Sequence, residues 1–511
     1  MRFPKLQKLR TVADVQTRFG GYRHTDNVPE GDFYDCENLS PEAFPLLRVR
    51  PPRAAWYAAR TDEHGETVSL ESTRMFLGEG VTAAANVSDK LVLCTSGGIF
   101  YNGGYVAGAP ELEAGARRTI VPFGRNFFIV PDGIYVTVSD DGAATATAVE
   151  CPRMDYAAEH DNRVWGCRFG EDAGGTFVNE LYACALGDPT AWETFDGIST
   201  DSYRVNLGCG GAFTGVCPLG GDVLFFKEDH IIRVSGETPS DFTVLTFPAD
   251  GAEEGAFRSV VNVNGRVFYK SRAGITAFDG VTARCVSEAL GERRFTEVCA
   301  GTVDGRYYFA GTDPAGARKI FCYDPETGLW HKEDDGRNTR FFVYRRHCLY
   351  LVCHEARAGT EFLPVNLYRF FVHDARRAPD AVTIFRNESE PDHTYRYLPE
   401  EPVKWYAETG RLSAGGPQAL LLRRLHIALR PEEGAKLRVQ VKCDGEEDWR
   451  TVYECDGAAP GAFTLPVRLP RCAFYRLRLS GEGGCVIESV TRIYEKAGEP
   501  APDGLKGGMI G

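Results

Sequence analysis

Seven short stretches of this chain share one shape, and their spacing restricts the possible folds more than any other feature. Each is a turn containing Gly, Asp, Asn or Arg, followed directly by an apolar run. The first three are Asp89-Lys90-Leu91-Val92-Leu93-Cys94, Arg125-Asn126-Phe127-Phe128-Ile129-Val130 and Asn162-Arg163-Val164-Trp165-Gly166-Cys167. Then come Gly221-Asp222-Val223-Leu224-Phe225-Phe226, Asn264-Gly265-Arg266-Val267-Phe268-Tyr269, Asp304-Gly305-Arg306-Tyr307-Tyr308-Phe309 and Arg346-His347-Cys348-Leu349-Tyr350-Leu351. Measured at the residue before each apolar run, the spacings are 36, 37, 59, 44, 40 and 41. A recurrence of about 40 residues with several strands per unit is the pattern of a β-propeller.

Hairpin partners follow at the right distance: Gly98-Ile99-Phe100-Tyr101, Gly133-Ile134-Tyr135-Val136 and Gly274-Ile275-Thr276-Ala277-Phe278. In each, Gly supplies the turn position that needs positive φ. Two units end in an Asp-Pro turn and a Trp, Asp188-Pro189 with Trp192 and Asp324-Pro325 with Trp330. Both Trp residues are expected to pack between neighbouring blades. The spacing predicts about seven blades, with six or eight open because the 59-residue gap holds an insertion or an irregular blade. Frequent Val, Phe and Tyr beside only 4 Met suit pleated, half-buried surfaces.

Residues 1–60 lie outside the repeat and read as an N-terminal arm with a propeller-closing strand. That strand is Phe44-Pro45-Leu46-Leu47-Arg48-Val49-Arg50, stopped by Pro51-Pro52. The propeller is expected over 61–400, residues 380–402 reading as a polar linker or irregular blade edge. Beyond it the alternation becomes strict in Leu437-Arg438-Val439-Gln440-Val441 and Tyr475-Arg476-Leu477-Arg478-Leu479. Period two with basic residues outward means antiparallel strands with one wet face. A small antiparallel β-sandwich is therefore expected over 403–497, and a flexible tail over 498–511. The fold class is all-β.

The net charge is −13. Residues 401–511 hold 16 Lys/Arg against 15 Asp/Glu, so the first 400 carry −14. Such a body does not wrap nucleic acid tightly, because phosphate affinity comes from basic neutralisation. No apolar run reaches the roughly 18 residues of a membrane helix, so no membrane segment is expected. The basic start, with Arg2, Lys5, Lys8 and Arg10, lacks the apolar region of a signal peptide. It reads either as a solubilising end or as an arm for an acidic partner or nucleic acid. The 16 Cys are scattered without a CxxC pair and read as reduced, small apolar core residues.

No motif makes a strong catalytic case. Ser139-Asp140-Asp141-Gly142 has the wrong spacing for a sialidase Asp box. The pairs Glu253-Glu254, Asp334-Asp335 and Glu446-Glu447 read as solvated turn acids, although paired carboxylates do glycosidase work elsewhere. His347-Cys348 and Cys353-His354 come nearest to a zinc pattern, but Cys348 sits in an apolar strand and reads as core. No phosphate-cradling glycine loop is present. Catalytic residues, cofactor-binding residues, metal ligands and cofactors are therefore all expected to be none.

Several stretches together resemble bacteriophage structural proteins with a β-propeller body. The opening runs from Phe19-Gly20-Gly21-Tyr22 through Gly31-Asp32-Phe33-Tyr34-Asp35-Cys36-Glu37-Asn38-Leu39 to Leu47-Arg48-Val49-Arg50. The middle holds Gly187-Asp188-Pro189-Thr190-Ala191-Trp192, Leu224-Phe225-Phe226-Lys227 and Ile231-Ile232-Arg233-Val234-Ser235-Gly236. Leu469-Pro470-Arg471-Cys472 with Leu477-Arg478-Leu479-Ser480-Gly481 resembles the terminal sandwich of prophage proteins from gut bacteria. The resemblance implies a non-enzymatic virion structural protein, similar to tail-hub, nozzle and DNA-stabilisation proteins of short-tailed phages. It implies a ring-shaped homo-oligomer around the DNA channel, in the tail or as a head–tail connector. The implied partners are other tail, portal or adaptor proteins, with passing DNA touched weakly. The implied location is the virion, after synthesis in the bacterial host cytoplasm. The alternative is a carbohydrate- or cell-surface-binding adhesin using Trp405, Trp449 and Tyr453; the third reading is a propeller glycoside hydrolase.

Overall fold

The computed structural model describes residues 10–496 apart from 57–58, 62–66, 70–79, 96, 103, 173, 292–293, 337, 358–364, 378–381, 384–393, 396, 401, 416–418 and 458. The basic start and the 498–511 tail lie outside the described residues, as does much of the expected linker. Six four-stranded antiparallel meanders and one five-stranded sheet make a β-propeller, seven blades among the described residues. Blade 1 runs from Val81–Val87 to Gly104–Tyr105, blade 2 from Thr119–Phe123 to Ala144–Ala148, and blade 3 from Tyr156–His160 to Tyr203–Asn206. Blade 4 runs from Phe213–Leu219 to Thr243–Pro248, blade 5 from Val261–Val263 to Ala283–Cys285, and blade 6 from Thr296–Val303 to Leu329–Lys332. Blade 7 holds Thr339–Arg345, Cys348–Arg357 and Val365–Val372, then Ala54–Trp56 and Tyr397–Pro399.

The repeated apolar run is the second strand of each blade. It is buried from both sides, so its residues read as continuous apolar sequence instead of alternating. Leu91 and Leu93 face blade 7, for example, while Val92 and Cys94 face blade 2. Every blade-to-blade interface is filled by an apolar cluster, that between blades 5 and 6 shared with the sandwich, and one between blades 7 and 1 closes the wheel. In five of the seven blades the turn before the run is a two-residue hairpin with both residues at positive φ. Asn264 and Gly265 show this between Val263 and Arg266, and Asp304 and Gly305 between Val303 and Arg306. That backbone matches strand twist, which explains the recurring Asn, Asp and Gly. The 59-residue spacing is a long loop, 184–202, between the third and fourth strands of blade 3. As expected, its Trp192 packs across to blade 2, 5.9 Å from Phe128.

The sandwich differs from expectation. One sheet holds Leu39–Ser40, Leu47–Val49, Cys485–Lys496, Leu420–Pro431 and Ala462–Pro466, with Arg10–Gln16 also on Cys485–Lys496. The other holds Phe33–Glu37, Lys404–Thr409, Phe474–Glu482, Lys436–Cys443 and Arg450–Cys455, with Leu412–Ser413 on Phe474–Glu482. Leu47–Val49, expected to close the propeller, instead pairs with the sandwich, Leu47 opposite Ile487. Its alternation of buried Leu47 and Val49 around Arg48 suits a sheet with one wet face. Pro51-Pro52 marks the crossing between bodies, and Ala54–Trp56 performs the closure, with Ala54 opposite Val372. From Arg10 the described chain thus runs through the sandwich, threads the wheel and returns, so that Arg10 lies opposite Lys496.

Candidate functional site: the axial channel and the junction between the bodies

The first strands of the blades surround the propeller axis and enclose a cavity of about 220 Å³. Its lining includes Ala83, Ile120, Ala157, Val216, Cys299 and Phe341, with Arg118 and Arg258 as the charged side chains and no carboxylate among the described residues. Arg258 sits on the short helical turn Phe257–Ser259 that links blades 4 and 5. Its Nη2 donates to the Thr82 carbonyl of blade 1 at 2.8 Å, and its guanidinium stacks 4.3 Å from the Phe341 ring of blade 7. Arg118 is held by a bidentate pair with Asp132, at 2.8 and 3.0 Å. Two-carboxylate sugar hydrolysis needs a facing pair of acids, and this lining supplies cations and apolar groups instead. Burial pushes the Cys299 thiol above its ordinary pKa, against the thiolate a nucleophile needs.

A second convergence of charge lies where the sandwich meets blades 6 and 7. Arg50 and Arg53, on the crossing segment, are almost fully buried. Arg50 donates to Asn38 Oδ1 at 2.8 Å, Glu400 Oε2 at 2.9 Å and Asp334 Oδ2 at 2.8 Å. Arg53 reaches Asp334 Oδ1 and Glu333 Oε2, both at 2.6 Å. His373 Nε2 lies 3.2 Å from Glu333 Oε1. Burial works to raise the Glu333 carboxyl, but His373 and the two guanidinium groups outweigh it and bring it down to about 2. Asp334 is held well below the carboxylate range against the same desolvation. Removing one partner from such a buried cluster is costly, because it leaves charge in the interior with fewer partners.

Apolar packing continues the junction. A single core cluster joins sandwich residues such as Leu425, Val439 and Leu477 to Phe268, Phe309 and Trp330 of blades 5 and 6. Tyr22 N–H donates to the Trp330 carbonyl at 2.6 Å. A Cβ at Gly21 would lie 2.3 Å from that same oxygen, so this position tolerates no side chain. Gly21→Ala is expected to destabilise the protein by about 1–3 kcal/mol through overpacking, read as a lower denaturant midpoint.

His331 marks the same region. It is buried with neither ring nitrogen hydrogen-bonded, and burial followed by the charge of Arg306 pushes its pKa down to about 4. Because the unfolded chain protonates first, stability is lost as pH falls from 6.5 towards 4. The loss is about 3 kcal/mol at the acid end. His331→Leu should flatten the denaturation midpoint across that window.

The residues singled out in the sequence are scattered. Asp334, expected as a solvated turn acid, is instead drawn into the buried cluster by two arginines. Glu253 pairs with Lys270, and Glu446 with Arg450 at 2.5 Å. Cys348 and Cys353 point into different blade interfaces, and the His354 side chain lies outside the described residues. Among the described residues no group of three or more His, Cys, Asp or Glu is placed to hold a metal, and none of the 16 Cys forms a disulfide. Trp405, expected as an exposed sugar platform, is 3% exposed in the sandwich core. Trp449 lies under Arg478 at 4.6 Å, and Tyr453 stacks on Phe463 at 4.7 Å. The two buried arginines were missed, although their closeness to Pro51-Pro52 was a signal that this segment is fixed at a crossing.

No family model and no curated protein matches the chain. Among solved structures it is similar to an exo-β-1,3-galactanase from Phanerochaete chrysosporium bound to galactose, at 11% identity and a TM-score of 0.24, covering 70% of this chain and 98% of that one. Trypanosoma rangeli sialidase is similar at 11% identity and a TM-score of 0.26, covering 88% and 96%. Chaetomium thermophilum Raptor is similar at 10% identity and a TM-score of 0.40, covering 64% and 30%. None of these likenesses carries an argument about activity. The chain is an all-β protein with a β-propeller body.

Proposed function

We propose that this protein is a non-enzymatic structural subunit, a ring-forming component of a bacteriophage tail or head–tail junction. The supporting observation is the axial cavity, where propellers have room for a reaction centre: here its lining holds two bound arginines, Thr119, Tyr156 and mostly apolar side chains, with no carboxylate among the described residues. The junction supports a structural role, since a shared core and a buried ion cluster join wheel and sandwich. The ring and the virion come from the sequence resemblance. Closed cyclic symmetry makes repeated modest contacts self-limiting, and an acidic body around a lumen repels passing phosphate.

Sedimentation of the full chain over a concentration series, beside a panel of chromogenic glycosides, tests the reading. A single large closed oligomer without turnover is expected. Turnover by a monomer overturns it in favour of a glycoside hydrolase, and a monomer binding a glycan array without turnover favours an adhesin.

A further inference from the structure

The described residues of the propeller include an exposed apolar patch, and the sequence holds a short basic segment of complementary character. The patch is the 184–202 loop of blade 3. It is built as a fixed platform: Leu186 N–H donates to the Thr200 carbonyl at 2.9 Å, and Ser202 N–H to the Thr194 carbonyl at 2.9 Å. Buried Arg163 donates to the Cys184, Asp201 and Ser199 carbonyls at 2.7, 2.5 and 2.9 Å. Asp201 Oδ2 accepts from the Gly197 and Ile198 N–H groups, while its Oδ1 is buried without a partner. On this platform Leu186, Phe195 and Ile198 are 43%, 59% and 56% exposed. Exposed Asp188, Glu193 and Asp196 lie among them, and residues 184–202 include no Lys, Arg or His.

The chain itself contains a segment with the opposite character. Residues 1–9 hold Arg2, Lys5 and Lys8 and no acid, and each base is followed directly by an apolar residue, Phe3, Leu6 or Leu9. A three-residue period suits an extended strand with three residues per turn, which brings like residues to one side. Three apolar side chains beside three cations complement three apolar side chains beside three acids. Arg10, next in sequence to that segment, lies on the sandwich, which packs on blades 5 and 6, whereas the platform belongs to blade 3. A head-to-tail neighbour brings arm and platform together, and such contacts close rings.

We propose that the 184–202 platform docks residues 2–9 of a second copy of this chain. The inference deepens the ring reading and rests on it for the second copy. Two full-length-derived proteins test it: one lacking residues 1–9, and one carrying Phe195→Asp with Ile198→Asp. Both altered side chains are exposed, so far-ultraviolet circular dichroism should be unchanged. In sedimentation each variant alone is expected to remain monomeric, while their mixture forms a heavier complex, because one supplies the platform and the other the arm. A labelled peptide of residues 1–10 should bind the arm-less protein at least tenfold more tightly than a version also carrying the two Asp substitutions. Glu193→Lys with Asp196→Lys should likewise lose binding to that peptide and regain it with a Lys5→Glu, Lys8→Glu peptide. Equal peptide affinities, or no complex in the mixture, overturn the inference. Rings formed by the Phe195→Asp, Ile198→Asp protein overturn it while leaving the ring reading intact. Peptide binding by a chain that never forms rings does the reverse.

Discussion

Replacing Arg53 with Met is expected to destabilise the protein by about 3–5 kcal/mol, the loss typical of removing one partner from a buried charge cluster. Met restores much of the side-chain volume, so the effect isolates charge from packing. Without the guanidinium, Glu333 loses its 2.6 Å partner and Asp334 one of two, in a region where Glu333 is only 4% exposed. Carboxylates left buried with fewer partners carry the cost of desolvation with less compensation. Adding Glu333→Gln to Arg53→Met should recover part of the stability, since it removes the orphaned charge.

Acid dependence checks the same cluster. Glu333 has its pKa lowered from 4.5 to about 2 in the folded protein. Its contribution is therefore fully present above pH 4.5 and is lost as pH falls through 2. This amounts to about 3 kcal/mol in the native protein, and Arg53→Met should shrink it. The window lies mostly below that of His331, so the fall in denaturation midpoint from pH 7 to 5 reports His331 and the fall from pH 4 to 2 reports Glu333. An Arg53→Met protein as stable as the parent, with an unaltered acid profile, would show that the cluster does not hold the bodies together.

Residues 403–497 produced alone are expected not to fold. That stretch looked like a complete sandwich, but its two sheets depend on strands from residues 10–49. Removing them strips away buried Phe19, Tyr22, Phe33, Cys36, Leu39, Leu47 and Val49. At about 2 kcal/mol for each of the six large apolar side chains, the loss is comparable to the whole 5–15 kcal/mol that keeps an ordinary domain folded. Circular dichroism and amide hydrogen exchange should report an unfolded chain. Adding a peptide of residues 10–50 should restore strand content, because it returns Phe33–Glu37 to Lys404–Thr409 and Arg10–Gln16 to Cys485–Lys496. A cooperative thermal transition from 403–497 alone would contradict the interlocked architecture.

The propeller was legible in the sequence because its signal is local. A strand buried on both faces writes a continuous apolar run, as in Val223-Leu224-Phe225-Phe226, and the hairpin before it demands residues that accept positive φ. Even the insertion showed, as a longer interval ahead of blade 4. Leu47–Val49 was misassigned because its sandwich partner lies more than four hundred residues away, Leu47 opposite Ile487, and no local pattern carries such a pairing. In hindsight Leu47-Arg48-Val49 has the same alternation as Leu437-Arg438-Val439, which links it to the sandwich and not to a doubly covered blade.

The charged junction was harder to read. Arg50, Arg53, Glu333 and Asp334 look like ordinary surface residues one at a time, and only the three-dimensional crossing makes them neighbours. Trp405 misled for a related reason. Its strand has only one wet face, and the side that Trp405 occupies was settled by pairing with Phe474–Glu482, where it lies opposite Gly481. A Cβ at Gly481 would sit 3.0 Å from the indole, so that glycine makes room for the buried ring.

Electron microscopy of the purified full-length protein at high concentration tests the scaffold account most directly. Annular particles of uniform subunit number, with the wheel and sandwich visible as one inflexible body in each subunit, are the expected image. Isolated monomers at every concentration, or subunits whose sandwich swings freely about the wheel, would contradict it.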